Sequence, residues 1–135
     1  MEKLVFIIDD DPVYLTFMQG HFRLLGGFTT EVYPNGDVAL ATLATKKPFL
    51  IILDHHLSEP GKDGLFYLRE IRKKDPKIPI IYITMDTKPS LKEKVMSFGV
   101  QAFIYKNEAF LIYLRTALDE LIKKAKKGFL KKFLG

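Results

Sequence analysis

Five short, nearly continuous apolar runs alternate with segments whose apolar residues recur at helical spacing, filling the chain from Leu4 to Leu121. Leu4–Ile8, Phe49–Leu53 and Ile78–Thr84 are dense in Ile and Leu, as strands buried on both faces of a parallel sheet require. Phe28–Tyr33, β-branched and aromatic, and Gln101–Tyr105 read as the other two strands. The helices between them carry their own start and stop signals. Asp11-Pro12 is an N-cap followed by proline, Tyr14, Phe17, Met18 and Leu25 mark an inner stripe, and Gly26-Gly27 ends that helix. Asn35 caps a helix expected to run to about Lys46, ahead of Pro48. A third helix puts Leu65, Leu68 and Ile71 on one face, and a fourth covers about Pro89–Phe98 before Gly99. The last is expected to start near Asn107, with the stripe Leu111, Leu114, Leu118 and Leu121. Five strand–helix units within about 125 residues imply an α/β fold, an open parallel sheet covered by helices on both faces.

A length of 135 residues suits one domain, and 47% hydrophobic with 27% charged residues is ordinary for a globular chain. The absence of cysteine excludes disulfides and Cys-based zinc or redox chemistry. No apolar run approaches the roughly 20 residues that span a bilayer, and the N-terminus lacks the pattern of a signal peptide. A cytoplasmic location is therefore expected. The net charge of +5 is unevenly spread: Lys123, Lys124, Lys126, Lys127, Lys131 and Lys132 lie in the last 15 residues, which hold no acid. The other 15 basic residues face 16 acids, so the body is near neutral and a nucleic-acid interface there is not expected.

In open parallel sheets ligands bind beyond the carboxyl ends of the strands. Those ends carry polar residues: Asp9-Asp10 after the first strand, Asp54 after the third, Thr84 after the fourth and Lys106 after the fifth. Strands lie roughly 4.8 Å apart, so these residues face one crevice. Three carboxylates there repel one another unless a cation neutralises them, and all-oxygen ligation suits Mg²⁺ (or Mn²⁺). Lys106 adds a positive charge and Thr84 a hydroxyl, both useful toward a phosphoryl group that a carboxylate could attack in line. Any one of these residues could be an ordinary solvated loop residue; five at the matching ends of four strands are not readily so explained.

The motifs FIIDDDP, LIILDHHLSEPGKDGLFYLREIR, IPIIYIT and GVQAFIYK resemble, in order and spacing, those of response-regulator receiver domains over about residues 3–125. The resemblance implies a flavodoxin-like, doubly wound five-stranded parallel sheet of order 2-1-3-4-5. It implies a phosphoacceptor switch of a two-component phosphorelay: Asp54 takes phosphate from a histidine kinase or phosphotransfer protein. Asp9, Asp10, Asp54 and the His56 backbone carbonyl would hold the metal. Thr84 and Lys106 would grip the phosphoryl group, Thr84 and Phe103 would switch, and the face of the fourth helix, fifth strand and fifth helix would change. The activity implied is self-directed phosphotransfer and autodephosphorylation, not turnover of another substrate.

Several residues depart from the usual pattern. The loop from Asp54 to Gly64 is two residues longer than the common D-x-x-M-P-G-x-D-G. Asn107 stands where many members have proline, so a trans bond is expected after Lys106, which could aim the lysine differently; Asn107 could cap the last helix instead. Met85 replaces a small residue and either narrows access to the site or points away. His56 and Asp86 occupy positions that tune phosphate lifetime. His55 and His56 are expected to point opposite ways and are weak candidates for zinc. His21 is expected to be a plain surface residue.

The chain divides in this reading into a receiver domain, 1–125, and a basic amphipathic tail or start of a linker, 126–135, its pattern interrupted by Gly128. The tail could pack on its own domain or a second copy, lead to an output domain, or contact anionic lipid or an acidic partner. Two other functions compete with the switch. A phosphate-independent interaction module would keep the fold alone. A Mg²⁺-dependent phosphohydrolase would want an aspartate two residues after the nucleophile, where this chain has His56. FMN binding is disfavoured because the first loop carries acids where a phosphate needs neutral donors.

Overall fold

The computed structural model describes residues 2–134. Its elements alternate throughout: β1 (Lys3–Ile8), α1 (Pro12–Leu25), β2 (Phe28–Tyr33), α2 (Gly36–Thr42), β3 (Leu50–Asp54), α3 (Gly64–Lys74), β4 (Ile80–Thr84), α4 (Pro89–Met96), β5 (Ala102–Tyr105) and α5 (Phe110–Leu134). All strand pairs are parallel and the order is β2-β1-β3-β4-β5. The apolar runs are continuous because successive side chains enter different cores. Phe6, Ile8, Ile51, Leu53, Ile80 and Tyr82 face α3 and α4 residues such as Leu68, Ile71, Leu91 and Val95. Val5, Ile7, Leu50, Ile52, Ile81 and Ile83 face α1 and α5, against Met18, Phe22, Phe110, Leu114 and Leu118.

The helices differ from expectation in four respects. The buried stripe of α1 is Leu15, Met18 and Phe22, while Phe17 is 43% exposed and meets Tyr14 and Phe110 at the rim. Helix α2 stops at Thr42 rather than near Lys46, and separate turns close on Thr42 and Ala41 carbonyls. Thr42 and Thr45 there bond backbone carbonyls with their own hydroxyls, a competition that weakens a helix end. Helix α5 begins at Phe110, not Asn107; the Asn107 side chain accepts from Ala109 N–H and shapes the turn before it. Gly128 does not interrupt α5, which runs unbroken across residue 125 to Leu134.

Candidate phosphoacceptor and metal site

Strand parity decides which polar residues meet. Asp9 continues the Val5, Ile7 side of β1, Asp54 the Leu50, Ile52 side of β3, and Lys106 the Ala102, Ile104 side of β5, so all three emerge toward α1 and α5. Lys106 Nζ lies 2.8 Å from Asp9 Oδ2 and 3.1 Å from Asp54 Oδ1, with its side chain 6% exposed. The ammonium also sits 4.2 Å from the centre of the Tyr14 ring on α1. The peptide bonds are trans among the described residues, including the one after Lys106. The lysine is not aimed elsewhere by the missing proline: Lys106 N–H donates to the Thr84 carbonyl at 2.8 Å, which fixes where its side chain departs.

Asp9 and Thr84 are fully buried and Asp54 is 2% exposed, and they are the buried polar residues of the described chain. Asp10 is half-buried beside them. Asp9 Oδ1 accepts from Asp11 N–H, and Asp11 in turn caps α1 through Val13 N–H. Asp9 Oδ2 is paired by the Lys106 ammonium alone. One carboxylate oxygen from each of Asp9, Asp10 and Asp54 falls within 4.8 Å of the others. Burial, then the charge of Asp9, pushes the Asp54 carboxyl up to about 7 against the pull of Lys106. Burial alone would depress the Lys106 ammonium, but Asp9 and Asp54 more than offset it and hold it above its ordinary value. One ammonium thus answers three acids, which is the charge imbalance a divalent cation with oxygen ligands corrects.

Residues 5–119 match the response regulator receiver domain. The chain belongs to that family. It is 32% identical over 119 residues to the DNA-binding transcriptional regulator NtrC of Salmonella typhimurium, covering 87% of this chain and 24% of NtrC. It is 28% identical over 128 residues to the transcriptional regulatory protein RprY of Bacteroides fragilis, covering 94% and 52%. The chain therefore spans about a quarter of the NtrC relatives' length. A CheY-like receiver domain from Methanospirillum hungatei superposes with a TM-score of 0.82 at 21% identity, over 94% of this chain and 99% of that one. NtrX from Brucella abortus superposes at 0.79 with 25% identity, over 96% and 30%.

Around this receiver site the unusual residues fall into place. The two extra loop residues are absorbed in a turn at Glu59–Lys62 with Gly61 at φ 76°, which Lys62 ties to Asp37 on α2 at 3.2 Å. Thr84 Oγ accepts from Asp86 N–H at 2.9 Å, and the Asp86 carboxylate accepts from Lys88 N–H, so the loop into α4 hangs on the hydroxyl residue. Met85 is 70% exposed, one residue beyond the buried Thr84. His56 is exposed, and its ring meets that of His55 edge-on at 4.9 Å, contrary to the expected opposite directions, because the chain bends at His55. Among the described residues Asp9, Asp10 and Asp54 are the one group with metal-ligating spacing, and the histidine pair is not part of it. His21 is half-buried rather than a plain surface residue, with Nε2 buried and unpartnered.

One contact was not foreseen from sequence. The buried Tyr82 hydroxyl lies 2.6 Å from His55 Nδ1, directly after Asp54, and burial holds the phenol well above its ordinary pKa and the imidazole below its own. The Tyr82 ring stacks on Phe103 at 5.9 Å and 13°, and Phe103 meets Tyr105 edge-on. Half-buried Phe103 thus packs against the α3–α4 core. A tyrosine inside the otherwise aliphatic run IIYIT was the available signal, since a buried hydroxyl needs a partner.

Proposed function

We propose that this receiver is a phosphoacceptor switch in which Asp54 takes a phosphoryl group from a phosphohistidine of a histidine kinase or phosphotransfer protein. The observation that carries the reading is the bridge of Lys106 between buried Asp9 and Asp54. An Asp54 oxygen attacks phosphorus, the imidazole leaves, and the new acyl phosphate places anionic oxygens beside the Lys106 ammonium. Lys106 then exchanges part of its pairing with Asp54 for the phosphoryl oxygens. The Thr84 hydroxyl, now an acceptor from Asp86 N–H, has a proton to donate to the same group. Asp9, Asp10, Asp54 and the His56 carbonyl would hold Mg²⁺ or Mn²⁺, and the three converging carboxylates, answered by a single ammonium, fit an oxygen-liganded cation. Bound there, the cation supplies charge neutralisation of the acids and of the transferring phosphoryl.

Movement of Thr84 draws on the Asp86–Lys88 loop and so on α4, while Phe103 lies on β5, so the face of α4, β5 and α5 is the surface that changes. Phe103 and Thr84 are the switch pair, and exposed His56, Met85 and half-buried Asp86 set phosphate lifetime. Residues 1–125 act as the receiver and 126–135 as a basic appendage. The output lies with a partner or an attached domain, without nucleic-acid contact by the receiver, and the setting is cytoplasmic. No helix among the described residues is long and apolar enough to cross a membrane.

Incubation with Mg²⁺ and a small phosphodonor, followed by intact mass, tests the reading. Wild type gains one phosphoryl group and Asp54→Ala gains none. Absence of uptake by wild type would favour the phosphate-independent module, and sustained turnover of unrelated phosphoesters the hydrolase.

A further inference from the structure

Helix α5 leaves the domain still helical. Leu121 is its last buried residue, and every side chain from Lys123 to Leu134 is exposed. Twelve residues at about 1.5 Å each make an overhang of roughly 18 Å. Its apolar residues continue the stripe that α5 buries in the domain: Leu114, Leu118 and Leu121 lead to Ile122, Ala125, Phe129 and Phe133. The Phe129 and Phe133 rings meet at 4.7 Å, and Leu130 widens the same face, while Leu134, seven residues after Lys127, lies beside the lysines. Lys124, Lys127 and Lys131 fall on the opposite side at helical spacing, and Lys123 and Lys132 lie at the margins. Lys126, within the apolar arc, lines an open groove of about 420 Å³ with Lys3, Ile122, Ala125 and Phe129.

The root of the overhang sits at the amino ends of the strands, the end opposite the acid site. Exposed Lys47 and Lys77 line a second groove there, with Lys124 and a single acid, Asp75. The basic helix and a basic sheet end therefore look the same way.

We propose that this end of the molecule docks on an anionic lipid surface, with Phe129, Leu130 and Phe133 in the headgroup boundary and the lysines on lipid phosphates. Charge decides among occupants. A parallel pairing with the same helix of a second copy would set six lysines against six, with no acid on either side to relieve them. A nucleic-acid backbone would satisfy the lysines but offers nothing to four exposed apolar side chains. An anionic interface serves both, and lysine stems reach outward past the apolar face to the phosphates. The phosphoacceptor end then faces away from the lipid, accessible to a kinase.

The test is flotation of the full chain with vesicles of phosphatidylcholine alone or mixed with phosphatidylglycerol. Binding to the mixed vesicles alone, weakened by salt, is the expected result. Lys127→Gln with Lys131→Gln should weaken it roughly 30-fold, at about 1 kcal/mol for each lysine near the surface. Phe129→Ser with Phe133→Ser should weaken it at least about tenfold without changing the charge. The chain has no tryptophan, so Phe133→Trp reports insertion through a blue shift on the mixed vesicles. Unchanged melting of these variants shows that the domain is intact. Equal binding to both vesicle types, none to either, indifference to the phenylalanine changes, or a dimer that buries the helix would each overturn the proposal. So would preferential capture of an acidic peptide or nucleic acid in competition with the mixed vesicles.

Discussion

A methyl group added at Gly64 would lie 2.3 Å from the Asp54 carbonyl oxygen, 2.6 Å from the Tyr82 hydroxyl and 2.7 Å from the His55 Cα. Two of these neighbours are backbone, so α3 cannot keep its seat on the end of β3, where Gly64 N–H donates to the His55 carbonyl at 2.7 Å. Gly64→Ala should cost about 3 kcal/mol, as overpacking against rigid atoms does, and lower the melting temperature by about 10 °C. A melt within a degree or so of wild type would show that the approach is not tight. His21 offers a pH test. Burial, then the Arg115 charge, holds its imidazole below the ordinary value, so the unfolded chain takes up the proton more readily than the folded one. Stability should therefore fall as pH drops below about 6.5, with the loss ending once the folded-state pKa is passed. Denaturant melts of His21→Gln against wild type should show the wild type losing relative stability between neutral pH and pH of about 5. An advantage that grows with acidity would contradict the assigned burial. Asp9, Asp54, Thr84 and Lys106 were legible because each stands where an apolar run stops. The His55–Tyr82 contact and the half-burial of His21 were not, because they depend on a bend and on helix rotation that spacing does not specify.

At the scale of elements, the strands could be placed within a residue or two because both cores demand uninterrupted apolar runs. Helix phase was harder. Tyr14, Phe17, Met18 and Leu25 form an acceptable stripe, yet Leu15, Met18 and Phe22 are the ones buried, and two nearby apolar stripes are separated by packing alone. The end of α5 was left open by the sequence: Gly128 interrupts the apolar pattern, but it weakens a helix without ending it when leucine, lysine and alanine surround it. A methyl group there meets nothing within 4 Å. Gly128→Ala should stabilise the overhanging turns by about 1 kcal/mol. Amide exchange in residues 124–134 should slow by about fivefold, while the global melt stays put, because the overhang buries nothing in the domain. A rise in the melting temperature would instead show that it unfolds together with the core.

Across the whole molecule, the parallel arrangement puts all strand ends of one kind together, and so separates charge: acids with one buried lysine at the carboxyl ends, exposed lysines at the amino ends and along α5. The acid end is held at a cost to stability, since the carboxyl groups of Asp9 and Asp54 are buried beside Asp10 with Lys106 as their shared counter-charge. Two consequences follow for the thermal stability of the apo and cation-loaded protein. Without divalent cation, Asp54→Asn should melt above wild type at neutral pH, because it removes one buried charge from a group whose burial and neighbours already disfavour ionisation. With Mg²⁺ at roughly 100 times its dissociation constant, wild type should gain about 2.7 kcal/mol, or about 10 °C for a chain of this size. Asp54→Asn should gain much less and fall below wild type, so the order of the two melting temperatures reverses on adding the cation and returns on chelation. Parallel shifts in both proteins would place the cation elsewhere, and the acids would then be a strained cluster held by Lys106 alone.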